Sequence, residues 1–171
     1  AVDDNLLFWC AASFYIQALP AIAMVGPQHA PLAPGTNKNI MDRRLAHVSL
    51  LVEDYHEAIE FFTNKLDFDL VEDEKLSETK RWVLVKPRGQ GNCSILLARA
   101  SDDNQRKFVG NQSGGRVFLL LTTDDIDRDL VKLKKHNVKI VREPSDEVYG
   151  RVLVFEDLYG NKWDLIERSN L

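Results

Sequence analysis

Apolar residues follow two different periods along this chain. Short runs suited to strands surround two segments in which apolar residues recur every three or four positions, the spacing of a buried helix face. These helical positions are Ile59, Phe62 and Leu66 in the first half and Ile126, Leu130 and Leu133 in the second. Each helical segment follows an apolar strand and precedes three further strands. The pattern predicts strand–helix–strand–strand–strand in both halves of the chain.

The two halves are also related by a constant shift. HVSLLVEDYHEAIEFFTNKLDFDLV (47–71) aligns without a gap with VFLLLTTDDIDRDLVKLKKHNVKIV (117–141), so that each position moves by 117 − 47 = 70. The same shift superposes two later pairs of segments, RWVLVK (81–86) on RVLVFE (151–156) and SILLAR (94–99) on DLIERS (164–169). This agreement of pattern indicates an internal duplication.

Acidic residues predict where the two helices begin. Asp54 and Glu57 stand three residues apart, the spacing of a capping box in which the first side chain accepts a backbone N–H. Asp124 and Asp127 resemble this pair in the second half, with Asp standing where Glu is usual. We therefore expect Asp54 and Asp124 to cap the helices.

The first forty residues differ in kind from the rest. An apolar, aromatic segment is followed by PQHAPLAPGTNKN, a linker rich in proline, glycine and asparagine. The chain opens with AVDDN rather than a basic region, and Gln17 and Pro20 interrupt the apolar run, which argues against a signal peptide and a membrane span. We expect a helix over about Leu6 to Leu19 that packs on the domain or on a partner subunit, and Met41 is a candidate natural start.

Composition narrows the class of protein. The chain has 171 residues, of which 44% are hydrophobic and 28% are charged, as in a globular domain. Its 22 basic and 26 acidic residues give a net charge of −4, so a nucleic acid is not an expected partner. Cys10 and Cys93 belong to no CxxC or Cys/His cluster. We predict a cytoplasmic protein whose two thiols are reduced and which has no membrane partner.

The tandem order of elements, with LAHVSLLVEDYHEAIEFFTNKL at the start and FEDLYGNKWDLIE at the end, resembles the vicinal oxygen chelate superfamily. That group contains glyoxalase I, bleomycin-resistance, fosfomycin-resistance and extradiol-dioxygenase proteins. The resemblance implies an α+β fold in which two βαβββ modules form an open, curled mixed sheet around a cavity. We assign module 1 to residues 44–99, a polar linker to 100–115 and module 2 to 116–168, after an N-terminal extension over 1–40.

The resemblance also implies positions for a divalent metal such as Zn, Mn, Ni or Fe. Metal-dependent members take a His from each first strand and a Glu or similar group from each last strand, and the matching positions here are His47, Ser94, Val117 and Asp164. His47 and Asp164 suit a metal, Ser94 is a weak ligand and Val117 has no donor. A slip of one residue, to Ile95 or Phe118, does not improve the set. Such sites usually need three protein ligands, and Glu156 stays open as an addition.

Each candidate also has an ordinary explanation. His47 suits a hydrogen-bonded, half-buried histidine, and Asp164 suits a solvated strand face. As a pair without metal, Asp164 would orient the imidazole and His47 would act as a general base or donor. Two aromatic residues, Trp82 and Phe118, could contact a ligand or simply belong to the core. Two arginines, Arg81 and Arg116, could bind an anionic group or simply lie in water at strand ends. The other candidates for ligand binding are Tyr149, in the loop EVYG, and Ser94.

Two classes of function follow from these residues. The first is a protein that binds a small organic molecule in its cavity without a complete metal site. The alternative is a metal-dependent enzyme (a lyase, isomerase, thiol transferase or dioxygenase) acting on a substrate with adjacent oxygens. A third explanation is that the sheet faces mediate assembly and the cavity has no ligand. We expect a homodimer in each case, because related two-module proteins commonly pair.

Overall fold

The computed structural model describes residues 43–89 and 93–168. The expectations for residues 1–40, including the helix over Leu6 to Leu19, lie outside these ranges. Within these ranges, no helix has the length and hydropathy that crossing a bilayer requires.

The first βαβββ module forms a four-stranded sheet. Its elements are β1 (His47–Val52), α1 (Tyr55–Glu60) running into a π-helical turn (Phe61–Lys65), β2 (Phe68–Lys75), β3 (Arg81–Pro87) and β4 (Ser94–Arg99). The strand order is β1-β4-β3-β2, in which β1 runs parallel to β4 and the other neighbours are antiparallel. The linker after β4 contains one short helix, α2 (Asp103–Arg106).

The second module repeats this topology. Its elements are β5 (Val117–Thr123), α3 (Ile126–Lys135), β6 (Ile140–Glu147), β7 (Gly150–Glu156) and β8 (Lys162–Arg168). The strand order is β5-β8-β7-β6, with β5 parallel to β8. The predicted fold class, two βαβββ modules in an α+β protein, is confirmed. The strands form two open, uncurled four-stranded sheets rather than the single curled sheet that was predicted.

One hydrophobic core joins the two modules. In each sheet, the side chains on one face (the inner face) pack with the helices into this core. The ring of Trp163 lies 5.9 Å from that of Phe62 and 6.3 Å from that of Phe68, which brings β8 against the first module. Burying a large apolar side chain of this kind contributes roughly 1.5–3 kcal/mol. Because both inner faces meet the core, both outer faces point away from it.

The helix caps show where the constant shift fails. The Asp54 carboxylate accepts the backbone N–H groups of His56 at 2.7 Å and Glu57 at 3.1 Å, so the first cap is confirmed. The second helix is capped by Asp125, which accepts the N–H of Arg128 at 2.9 Å, and the prediction of Asp124 is wrong by one residue. The sequence pattern could not decide between two adjacent aspartates.

An irregularity in β5 explains the displaced cap. Val117 pairs with Lys162, but Leu119 pairs with Trp163, so Phe118 is an extra residue in the ladder. Such a bulge moves every later residue of the strand by one position and to the opposite face. Leu119 and Leu121 therefore pack on the core.

The turn before the last strand corrects a second alignment. Val85 pairs with Ile95 across the β3–β4 turn, whereas Phe155 pairs with Trp163 across the β7–β8 turn, which is two residues shorter. Counted along the ladders, the shift from β4 to β8 is therefore 163 − 95 = 68 rather than 70. The position matching Asp164 in the first module is Leu96, and the pairing of Ser94 with Asp164 was wrong.

A buried carboxylate shapes this shorter turn. Oδ1 of Asp157 accepts the backbone N–H groups of Tyr159, Gly160 and Asn161, each at 3.0 Å. Its Oδ2 accepts the Asn161 side-chain amide at 2.9 Å and the indole N–H of Trp163 at 3.2 Å. Five N–H donors thus converge on one side chain that is 6% exposed.

The same turn ties the second module to strand β1. The Tyr159 hydroxyl donates to the carbonyl oxygen of Asp54 at 3.2 Å. Asn161 accepts the backbone N–H of Gln112 at 3.0 Å, and the Gln112 side chain donates to the Ser49 carbonyl and accepts the Leu51 N–H, both at 2.7 Å. A side-chain amide thereby takes the place of a neighbouring strand along the edge of β1.

We predict that Asp157→Asn lowers the free energy of unfolding by about 2–4 kcal/mol, because an amide at this position turns an N–H₂ toward two N–H donors. Urea denaturation followed by tryptophan fluorescence measures the change. Asp103→Asn, whose side chain is 94% exposed, is the control and should change the free energy by less than about 0.5 kcal/mol. Equal stability of Asp157→Asn and wild type would contradict the role of the carboxylate.

Candidate functional site

Strand alternation places the predicted site residues on the outer faces of the two sheets. On the first sheet, His47 and Ser94 are paired neighbours and share the outer face with Trp82. On the second sheet, Asp164 shares the outer face with Leu120, its partner on β5. These surfaces do not contribute to the core between the modules.

The first outer face carries a fixed aromatic pair. The imidazole of His47 is exposed and meets the Trp82 ring edge to face, with centroids 6.1 Å apart and planes at 85°. The indole N–H of Trp82 donates to Oε2 of Glu72 at 3.1 Å, which sets the orientation of the ring. Ser94 is 7% exposed beside them. This face can stack an aromatic group and offer an imidazole nitrogen.

The second outer face carries an acid among apolar neighbours. Asp164 lies between Leu120 on β5 and Val154 on β7 in the sheet. Oδ1 of Asp164 is buried and has no hydrogen-bond partner among the residues that the structure describes. Leu120 is 65% exposed although it is a leucine. A buried acceptor without a donor is rare in folded proteins, and it is the feature of this face that needs an explanation.

Burial sets the electrostatics of Asp164. The loss of water around the carboxyl group raises its pKa above the ordinary value of 3.8, and the positive charge of Arg142 on β6 opposes this effect. Arg142 reaches the same face because it pairs with Val154, but its guanidinium is bound to Glu147 at 3.3 Å. A hydrogen-bond donor would therefore stabilise this carboxylate more than it would stabilise an exposed one.

The other predicted binding residues fall into different surroundings. Phe118, the bulge residue of β5, packs partly against the core. Arg116 is exposed just before β5, and its carbonyl accepts the Ser113 hydroxyl at 2.5 Å. Tyr149 is 54% exposed in the β6–β7 turn. No contact in the described ranges joins His47 to Asp164, because they project from the outer faces of different sheets.

Comparison with known proteins identifies the fold. The model of the Glyoxalase/Bleomycin resistance protein/Dioxygenase superfamily matches residues 44–165. The chain belongs to this superfamily.

Members of the superfamily and other relatives match nearly over their full length. A protein of Shewanella frigidimarina (strain NCIMB 400) is 53% identical over 131 residues, covering 76% of this chain and 97% of the relative. The crystal structure of TnmS3, an antibiotic binding protein from Streptomyces sp. CB03234, is 28% identical with a TM-score of 0.63, covering 75% and 98%. A superfamily member from Sphaerobacter thermophilus DSM 20745 is 26% identical with a TM-score of 0.61, covering 74% and 98%.

The superfamily's metal positions do not hold a metal set in this chain. With the corrected ladders, the position that matches Asp164 is Leu96, which has no donor atom, and neither Val117 nor Phe118 supplies one. Glu156, the acid left open by the sequence, is paired with Lys139 at 2.8 Å. Among the residues that the structure describes, no three His, Cys, Asp or Glu side chains are grouped as a metal site. The chemistry of these residues does not fit a tightly held metal.

Sequence reasoning missed two residues of the second outer face. Leu120 lies within VFLLL, a run that is apolar at every position, so alternation gave no signal of which leucines face outward. Arg142 lies two strands away from Asp164 in the sheet. Only the strand order and register bring them together.

We predict that Asp164→Asn becomes progressively more stable than wild type as the pH rises above 3.8. Because the pKa of Asp164 is raised in the folded state, the folded chain keeps this proton to a higher pH than the unfolded chain, and ionisation lowers the free energy of unfolding. The asparagine variant has no such loss. Below pH 3.8, the difference between the free energies of unfolding of the two proteins should be constant.

Urea denaturation from about pH 3 to about pH 7 measures this difference. Asp103→Asn again serves as the control and should follow the wild-type curve, since its side chain is exposed. Parallel pH curves for Asp164→Asn and wild type would contradict the raised pKa.

Proposed function

We propose that this protein binds a small, mostly apolar organic molecule that carries a hydrogen-bond donor, without a tightly bound metal. The observation that carries the proposal is the buried, unpartnered Oδ1 of Asp164 on an outer sheet face. A buried acceptor without a partner costs about 1–3 kcal/mol. A hydroxyl or N–H group of a ligand would recover this energy, while Leu120 and Val154 would contact its apolar body.

The first outer face suits the other side of such a molecule. The half-buried Trp82 ring and the His47 imidazole offer an aromatic surface with one polar nitrogen. Aromatic rings of this kind contribute large contact areas and accept stacked or edge-on partners. We infer that the ligand contains a planar, unsaturated ring system.

The cavity requires a second copy of the chain. The two outer faces point away from the shared core, so one chain does not close a space between them. In a homodimer, the first sheet of one chain can cover the second sheet of its partner. His47 and Asp164 would then act on the same ligand from two subunits, and Trp82 would line the same space.

The relatives favour binding over metal chemistry. TnmS3 is an antibiotic binding protein, and 98% of the TnmS3 chain matches this chain. The alternative function, a metal-dependent lyase, isomerase, thiol transferase or dioxygenase, is favoured only by the presence of His47 and Asp164. That alternative needs a third donor that Leu96 and Val117 cannot supply.

A matched pair of probes tests the binding site. 2-Naphthol and 2-methoxynaphthalene share one aromatic skeleton, but only the first donates a hydrogen bond. Wild type is expected to bind 2-naphthol about tenfold more tightly, because its hydroxyl reaches Oδ1 of Asp164. Asp164→Ala should abolish this preference, and Trp82→Ala should weaken both probes. Fluorescence titration measures the affinity of each of the three proteins for each probe.

The control variant for this titration is Asp146→Ala, which removes a carboxylate that is 93% exposed and should keep the preference. Light scattering on the same samples at micromolar concentration is expected to give twice the chain mass. A preference that survives in Asp164→Ala, or a monomer that binds both probes, contradicts the proposed cavity.

Metal retention separates the two functions. Protein incubated in turn with zinc, manganese, nickel and ferrous iron and then desalted is expected to keep far less than one metal per chain, by plasma mass spectrometry. Near-stoichiometric metal in wild type that vanishes in Asp164→Ala would overturn the proposal and favour the enzyme.

A further inference from the structure

A pocket within one chain lies at the end of the first sheet, on its inner side. It has a volume of about 290 Å³ beside the start of α1. Four basic residues in its lining (the basic cluster) are His56, Lys75, Arg81 and Arg99. The outer-face residues His47 and Trp82 take no part in its lining.

The two arginines of the basic cluster flank one aromatic ring. The guanidinium carbons of Arg81 and Arg99 lie 5.2 and 5.7 Å from the centre of the Tyr55 ring. The Tyr55 hydroxyl donates to the carbonyl oxygen of Arg81 at 3.2 Å, so the ring is held in place. Nε2 of His56 lies 3.4 Å from Nη1 of Arg81. Three cationic or polar nitrogen groups thus border the same space.

The corresponding position in the second module also holds an arginine, but acidic residues surround it in place of basic ones. Arg151 stands where Arg81 stands in the first module, and three carboxylates surround it. Asp127 binds its guanidinium through two bonds of 2.8 and 3.0 Å. Glu167 lies 3.7 Å and Asp146 3.9 Å from it. The arginine of the second module is therefore neutralised within the chain.

The correspondence follows from the ladders and the helix caps. Lys75 pairs with Arg81 as Asp146 pairs with Arg151. His56 and Asp127 are each the second residue of a helix whose N-cap is an aspartate.

The third correspondence concerns Arg99. The β3–β4 register, in which Val83 pairs with Leu97, sets Arg99 opposite Arg81, and Glu167 pairs with Arg151 in the same way. Each carboxylate around the second-module arginine is thus replaced by a basic residue in the first module.

Two acidic residues pair with members of the basic cluster, and a third caps α1; two of these acids, Asp54 and Glu78, also line the pocket. Asp73 forms an ion pair with Arg81. Glu78 pairs with Lys75 at 2.8 Å, but both side chains are largely exposed, and such pairs stabilise little. Asp54 caps α1, and its hydrogen bond from the Glu57 N–H is the main reason that the pKa of Asp54 is lowered.

Arg99 is the cation that these acids do not cover. Its Nη2 donates to the carbonyl oxygen of Thr79 at 2.8 Å, and the residue lines the pocket. Among the ion pairs of the described residues, none joins Arg99 to a carboxylate at 4.0 Å or less. A guanidinium has five donors in a planar fork that matches an oxyanion.

We propose that the basic cluster binds a small oxyanion, either a carboxylate or a phosphate group, between Arg99 and Arg81 above the Tyr55 ring. The pocket volume admits one such group with a short substituent. This site is separate from the outer faces and does not depend on the function proposed for them.

Titration calorimetry on the full chain tests the proposal. The probes are inorganic phosphate and succinate, each against chloride at matched ionic strength, so that the two sources of oxyanion are distinguished. Wild type is expected to bind at least one of them saturably. Arg99→Glu should weaken that binding at least about tenfold, because it removes the donor fork and adds a like charge. The variant should fold, since it recreates the Glu167–Arg151 arrangement of the second module.

Lys107→Glu is the matched control. It makes the same change of net charge at an exposed position just after the linker helix α2, and its lysine bonds only weakly, to Asn104 at 3.4 Å. It should bind the anion within about twofold of wild type. Binding of neither probe by wild type, or equal loss in Arg99→Glu and Lys107→Glu, would overturn the proposal.

Discussion

The Asp157 carboxylate is the contact on which the rest of the second module depends. Charge-assisted hydrogen bonds are stronger than neutral ones, and five N–H groups share this acceptor. They fix the direction in which the chain enters β8. Trp163 then points into the core, and the next residue, Asp164, points outward. The outward position of Asp164 within an apolar strand is therefore a consequence of how the turn is closed.

Two small irregularities make the outer faces of the duplicated modules differ. The bulge at Phe118 turns Leu120 outward, and the shorter β7–β8 turn sets Asp164, rather than a leucine, opposite it. The matching place in the first sheet holds Ser49 opposite Leu96. The topology is shared while the outer faces are not. A cavity made from one face of each kind would be asymmetric, with an acceptor on one wall and an aromatic pair on the other.

The sequence predicted the elements better than it predicted their register. Helix faces and the order of elements along the chain follow from local periodicity, which Ile126 and Leu133 show by being buried. Register depends on single residues that periodicity does not record, because VFLLL is apolar on both faces and Asp124 and Asp125 are equally good caps. For the site, Asp164 was visible in the sequence. Its missing partner was not, since that depends on neighbours from three strands.

Among the described residues, the first module leaves hydrogen-bond donors unpaired and the second leaves an acceptor unpaired. In the first module, Arg99 has donors that no carboxylate of the described ion pairs meets. In the second, Asp164 has a buried acceptor that no donor meets. These groups cannot satisfy each other, because one lies on the inner side of its sheet and the other on the outer face of a different sheet. A sequence selected for stability alone would have matched both internally, as the second module does for Arg151. This contrast with Arg151 is the reason for proposing that each is met by a group from outside the chain.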